Sequence, residues 1–209
     1  LGKRKLLPAL DYILNDKSAD AGNLEVIGIS RRQVDAQLIL EASLGQDNAQ
    51  SSPLTPILSF HKMNLADIDD YIVLKQHLRS RRTKRGWRAS ETQVLFYLSV
   101  PPTSAAKISE LLGKSGLNSD NFKILFEKPF GIDLRSAEEF FARTSQYFSE
   151  KQILRVDHYL MKTPIRGLQA ILEKNQILHD LRLQKQIKSV IITAHETLDI
   201  EGRAIFYEQ

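Results

Sequence analysis

Three short stretches of the chain bring together side chains capable of chemistry, and a fourth pair tempts. Arg31 and Arg32 follow an apolar run that ends at Ser30. In dinucleotide-binding folds the residue after such a strand is a carboxylate that takes a ribose hydroxyl or an arginine that takes the 2′-phosphate of NADP. Two arginines and no acid favour NADP, while a solvated basic pair at a helix start is the competing reading. Lys128, in Glu127-Lys128-Pro129-Phe130-Gly131, puts a cation at a strand terminus in front of a turn, where a surface lysine is an equal alternative. From Arg155 to Lys162 an acid, an imidazole, a phenol and an amine stand in one run, Arg-Val-Asp-His-Tyr-Leu-Met-Lys. Those types suit recognition of a phosphate by His158, Tyr159 and Lys162, with Asp157 left to orient a base, although an ordinary helix start reads the same way. His195 and Glu196 are neighbours on an expected strand, so their side chains point to opposite faces and only one can face a pocket.

Other candidates carry less. The run from Arg79 to Arg88 holds six basic residues in ten, with Trp87 among them. That is a possible footprint for nucleic acid, but no zinc-finger, helix-turn-helix or RNA-binding signature accompanies it, and a solvated basic loop is favoured. The remaining histidines, His61, His77 and His179, lack metal-ligand spacing, and no metal site is expected. The chain has no cysteine, which excludes a disulfide framework and thiolate chemistry and is compatible with a reducing cytoplasm. No apolar run approaches the roughly 20 residues of a membrane helix, and the basic Lys3-Arg4-Lys5 start lacks the apolar region of a secretory signal. The 209 residues carry 29 Lys+Arg against 25 Asp+Glu, a net charge of +4, with 42% hydrophobic residues. This is the balance of a globular protein with a sizeable core and a mild preference for anionic partners.

The elements that must position these residues alternate. Residues 24–30, 56–60, 94–100, 123–126 and 189–195 have the β-branched and aromatic content of strands. Helical spacing fills 33–44, 68–78, 105–112, 137–148 and 163–174. Ser136 with Glu139 reads as a capping box, and Asp47 to Ser52 as a polar loop. Apolar strands separated by helices predict an α/β fold with a doubly wound parallel sheet over residues 1–155. In such a sheet ligands bind beyond the carboxyl ends of the strands. Pro101-Pro102, after the third strand, makes the chain rigid and extended there. Residues 156–209 read as the start of a second, α+β domain.

The chain resembles the glucose-6-phosphate dehydrogenase family. The resemblance rests on Lys3-Arg4-Lys5-Leu6-Leu7-Pro8-Ala9-Leu10, on Glu127-Lys128-Pro129-Phe130-Gly131 with Asp133-Leu134, and on Arg155-Val156-Asp157-His158-Tyr159-Leu160-Met161-Lys162. Phe96 to Pro102 and Glu201-Gly202-Arg203 add to it, in order along nearly the whole chain. It implies a Rossmann-like coenzyme domain followed by the beginning of a β+α substrate and oligomerisation domain. It also implies oxidation of glucose 6-phosphate to the lactone with hydride transfer to NADP, in the pentose phosphate pathway, and a cytoplasmic homodimer or homotetramer. By motif match, Lys128 bridges substrate and cofactor, and His158, Tyr159 and Lys162 hold the sugar phosphate. Glu196 binds sugar hydroxyls, Lys5, Arg31 and Pro101 contact the cofactor, and Asp157 orients the catalytic histidine. The family's glycine-rich phosphate loop is expected immediately before Leu1, and its catalytic base shortly beyond Gln209. Within the signature, Met161 replaces a glycine, Thr163 a glutamate and Arg166-Gly167 a polar amide pair, while Ala105 takes a position that is often aromatic. A non-catalytic relative that binds sugar phosphate or NADP, or scaffolds a partner, is the alternative that Met161 and Thr163 support.

Overall fold

The structure is a computed structural model that describes residues 2–157 and 163–176, with Asp180, Lys188, Ser189, Ile191 and Thr193. The expected strand at 189–195 lies largely outside the described residues. A short π-helical turn, Gly2–Leu6, leads into α1 (Leu7–Asn15), after which β1 (Val26–Ser30), α2 (Ala36–Leu44), α3 (Gln46–Ser51) and β2 (Leu58–Lys62) follow. Then come α4 (Ile68–Lys84), β3 (Val94–Leu98), α5 (Pro102–Lys114), β4 (Phe122–Glu127), α6 (Leu134–Thr144), β5 (Ile153–Val156) and α7 (Thr163–Lys174). Among the described residues every strand pair is parallel: β1 lies beside β2, and β3, β4 and β5 lie side by side in that order. Each parallel pair requires a crossover, which the intervening helices supply. The α/β alternation is therefore as expected, with its strands falling into two sheets.

Helices α2, α4 and α6 begin where a side chain satisfies free amides. Asp35 accepts from the amides of Gln37 and Leu38 at the start of α2, and Asp67 accepts from Asp69 at the start of α4. The capping box of α6 is not the expected Ser136–Glu139 pair. Asp133 caps the amide of Ser136 at 2.7 Å, the Ser136 hydroxyl accepts from the Asp133 amide, and Glu139 instead pairs with Arg135 one turn away. The helix thus starts three residues earlier than the apolar spacing indicates. Asp47 to Ser52 is not a loop either: Ala49 is fully buried, which docks α3 against α2. Asp69 and Asp70 in the first turn of α4 and Arg81, Arg82 and Lys84 in its last turn match the helix dipole.

Two apolar clusters hold the layers together. Leu7, Leu14, Leu40, Ala49, Leu54, Ile57 and Leu58 pack around the first sheet. The larger cluster around the second sheet includes Tyr71 and Leu74 from α4, Ile108 and Leu112 from α5, Ile124 and Phe126 from β4, and Phe140 from α6. Each fully buried Leu, Ile or Phe contributes on the order of 2 kcal/mol. Helix α4 serves both sheets. Its Tyr71 and Leu74 enter the larger cluster, while the His77 ring lies tilted, 4.7 Å from that of His61 of β2, and Arg81 pairs with Glu25 just before β1. Gly28 of β1 faces Phe60 of β2, and a Cβ there would lie 2.3 Å from the ring, so only glycine permits this spacing.

Candidate functional site

The carboxyl ends of β4 and β5 carry the most direct constellation. Glu127 and Val156 are the last paired residues of the two strands, so Lys128 and Asp157 emerge side by side. The Lys128 ammonium donates to Asp157 Oδ2, with the lysine side chain 58% exposed and the aspartate 21%. One cation and one carboxylate, 29 residues apart in sequence, are thus joined at the strand ends. Beneath them the Tyr97 hydroxyl donates to Glu127 Oε1, and burial, reinforced by that bond, pushes the phenol well above its ordinary range.

The turn after Lys128 is held tightly to α6. A Cβ on Gly131 would lie 2.6 Å from the Ala137 amide nitrogen and 2.5 Å from the Ser136 hydroxyl. The Ser136 hydroxyl also accepts from the Ile132 amide at 3.0 Å. Glycine is needed there to let the Lys128 turn close onto the helix start. Arg155, although part of the signature stretch, points elsewhere. It pairs with Glu150 at 2.6 Å and lies 4.4 Å from the centre of the Phe141 ring. That pairing holds the Glu150 carboxyl below its ordinary range and raises the guanidinium.

A cleft of about 360 Å³ opens at the carboxyl ends of β1 and β2, lined by Arg31, Lys62, Met63, Asn64 and Asp70. Ser30 and Lys62 are the last register pair, and the Met63 amide donates to the Ser30 carbonyl at 2.9 Å. Ser30 Oγ accepts from the Arg32 amide at 3.2 Å. The backbone on either side of Arg31 is therefore tied down, and Arg31 lines the cleft at the strand end where an arginine is expected. Lys62, Asn64 and Asp70 were not among the expected site residues. The signal was available, since every strand end is a candidate. With the second strand read as 56–60, its true end at Lys62 is overlooked.

The remaining expected residues divide. Pro101 caps α5 directly after β3, and its carbonyl accepts from Ala105 at 2.9 Å. Lys5 is exposed on the first turn and is not among the residues lining the Arg31 cleft. His158, Tyr159, Lys162 and Glu196, with Met161, lie outside the described residues. Thr163 begins α7, and Arg166 and Gly167 are exposed on it. The basic run at 79–88 is largely the end of α4 rather than a loop. Arg81 and Arg85 both pair with Glu25, whose side chain is 6% exposed, and Arg88 pairs with Glu91. Part of its charge is thus spent inside the fold. Among the described residues no group of three metal-ligating side chains occurs, and no helix is long and apolar enough to cross a membrane.

Comparison with known proteins bears on this geometry. Residues 1–166 match the family model described as glucose-6-phosphate dehydrogenase, NAD binding domain. The glucose-6-phosphate 1-dehydrogenase of Aggregatibacter actinomycetemcomitans is 31% identical over 98% of this chain and 43% of its own length. That of Mycolicibacterium smegmatis is 31% identical over 100% of this chain and 43% of its own. Among solved structures, the glucose-6-phosphate 1-dehydrogenase of Mycobacterium avium superposes with a TM-score of 0.76 at 27% identity, covering 100% of this chain and 45% of that one. A glucose-6-phosphate dehydrogenase in complex with its substrate glucose 6-phosphate gives a TM-score of 0.75 at 25% identity, covering 86% of this chain and 38% of that one. The chain spans less than half the length of these relatives. With the parallel α/β architecture shared and the match running over most of its residues, the chain belongs to the glucose-6-phosphate dehydrogenase family and carries that family's Rossmann-like, nicotinamide dinucleotide-binding domain.

Proposed function

We propose that the protein carrying this chain oxidises the C1 hydroxyl of glucose 6-phosphate to the lactone, with NADP as hydride acceptor. The observation that carries this reading is the meeting of Lys128 and Asp157 at the carboxyl ends of β4 and β5, where an open parallel sheet binds its ligands. NADP, when bound, supplies the redox chemistry; the chain supplies position and charge. Lys128 lies where an ammonium can bridge sugar and cofactor. Asp157 accepts from that ammonium and orients the base that takes the hydroxyl proton. His158, Tyr159 and Lys162 follow Asp157 directly in sequence and offer donors for the sugar phosphate, and Glu196 offers a carboxylate for sugar hydroxyls.

The cofactor end is supported by the Arg31 cleft. An arginine placed directly beyond β1 and lining the cleft, with no acid in the run from Ser30 to Gln33, fits a 2′-phosphate better than a bare ribose diol. Lys5 and Pro101 complete the proposed cofactor contacts. In this reading residues 1–155 form the coenzyme domain, and 156–209 open the substrate and oligomerisation domain of a cytoplasmic homodimer or homotetramer. The test is reduction of NADP followed at 340 nm with glucose 6-phosphate, and with unphosphorylated glucose as control. Turnover that requires the phosphate supports the reading. A folded protein that turns over neither sugar contradicts it and favours a non-catalytic relative.

A further inference from the structure

We infer that Lys62 is a second specificity-determining cation of the cofactor site, gripping the 2′-phosphate of NADP together with Arg31. The inference rests on the reading of NADP as cofactor and adds a residue to it.

Four observations carry it. Lys62 is the last residue of β2, and Arg31 is the first residue beyond β1, so the two cations stand at the same end of adjacent parallel strands. Both line the same cleft of about 360 Å³, which is roomy enough for a phosphate and part of a ribose. Their backbones are locked together, because the Met63 amide donates to the Ser30 carbonyl at 2.9 Å and β1 and β2 are in register up to Ser30 and Lys62. Among the described residues neither side chain enters an ion pair, whereas Lys128, Arg81, Arg85 and Arg155 all do.

The cleft also contains a carboxylate, Asp70, which could repel a phosphate or attract a ribose diol. Its Oδ2 is committed to the Asn64 amide at 2.6 Å, at the start of α4. Two cations against one tied carboxylate leave the lining net positive. A phosphate dianion has three oxygens to share, so it can accept from the planar guanidinium and from the ammonium point charge together. A ribose 2′-hydroxyl has no charge to balance either of them. The second cation should therefore change the affinity for NADP and leave that for NAD nearly untouched.

The test is calorimetric titration of the full-length protein and its Lys62→Gln, Lys62→Arg and Arg31→Gln variants with NADP⁺ and with NAD⁺, their melting curves checking the fold. The expected result is about tenfold weaker NADP⁺ binding by Lys62→Gln, NAD⁺ binding within about twofold, and recovery in Lys62→Arg. Equal weakening for both cofactors, or unchanged NADP⁺ binding in Lys62→Gln beside a loss in Arg31→Gln, overturns the role of Lys62 and leaves NADP as cofactor standing. A wild-type protein without preference between NADP⁺ and NAD⁺ removes the NADP reading itself, and the inference with it.

Discussion

Replacing Gln152 with alanine should loosen the β4–β5 junction on which Lys128 and Asp157 depend. Gln152 lies just before β5 and is 7% exposed. Its side-chain amide donates to the carbonyls of Asn118, Ser119 and Phe122, each at 3.0 Å. Its Oε1 accepts from both the amide and the hydroxyl of Ser149, again at 3.0 Å. An amide has two N–H donors, so two donated and two accepted bonds are the most it can make at full strength. At about 0.5–1.5 kcal/mol net for each bond, and with carbonyls left short of a partner, the loss comes to about 3 kcal/mol. For a chain of this size that lowers the melting midpoint by roughly 6–12 °C. Circular-dichroism melts of the wild type, Gln152→Ala and Gln152→Met provide the assay, since methionine fills the volume without restoring the bonds. A fall of less than about 2 °C in Gln152→Ala refutes the reasoning, and recovery by methionine assigns the loss to packing instead.

Three further outcomes are expected. Burial, then the neighbouring His61 and Arg81, hold His77 below its ordinary value of 6.5 against the opposing pull of Glu25. The folded protein therefore binds fewer protons than the unfolded chain below pH 6.5, and this contribution to stability is complete above that value and is lost as pH falls toward the folded one. Melting curves between about pH 7.5 and 5 should show a smaller pH dependence in His77→Gln than in the wild type, and equal slopes would exclude His77 as the source. Arg31→Ala should weaken NADP⁺ by about tenfold while NAD⁺ changes little, as read by calorimetry. Lys128→Ala should cut kcat with glucose 6-phosphate by at least about a hundredfold without changing the melting midpoint appreciably, because the lysine side chain is more than half exposed; unchanged kinetics remove Lys128 from the site.

Much of this arrangement is legible in the sequence, and what is not has identifiable causes. The strands at Val26–Ser30, Val94–Leu98 and Phe122–Glu127 stand out because they are rich in apolar, β-branched and aromatic residues. Strand β5 is only four residues long and includes Arg155, so it reads as the lead-in to a motif rather than as a strand. Helix α4 runs past its apolar repeat to Lys84 because Arg81 and Arg85 find Glu25, a partner 56 residues away from Arg81 that no local pattern reveals. The same kind of distance hides the Arg31 cleft. Lys62 and Asp70 become neighbours of Arg31 only through the β1–β2 register. Lys128 and Asp157, by contrast, are found from strand ends and motif alone, and the β4–β5 pairing joins them.

The most direct measurement is a crystal structure of the full-length protein grown with NADP⁺. The account predicts the cofactor stretched beyond the carboxyl ends of the strands, its 2′-phosphate in the cleft of Arg31 and Lys62 and its nicotinamide toward Lys128. Cofactor bound with that cleft empty, or with the nicotinamide away from Lys128, would contradict it.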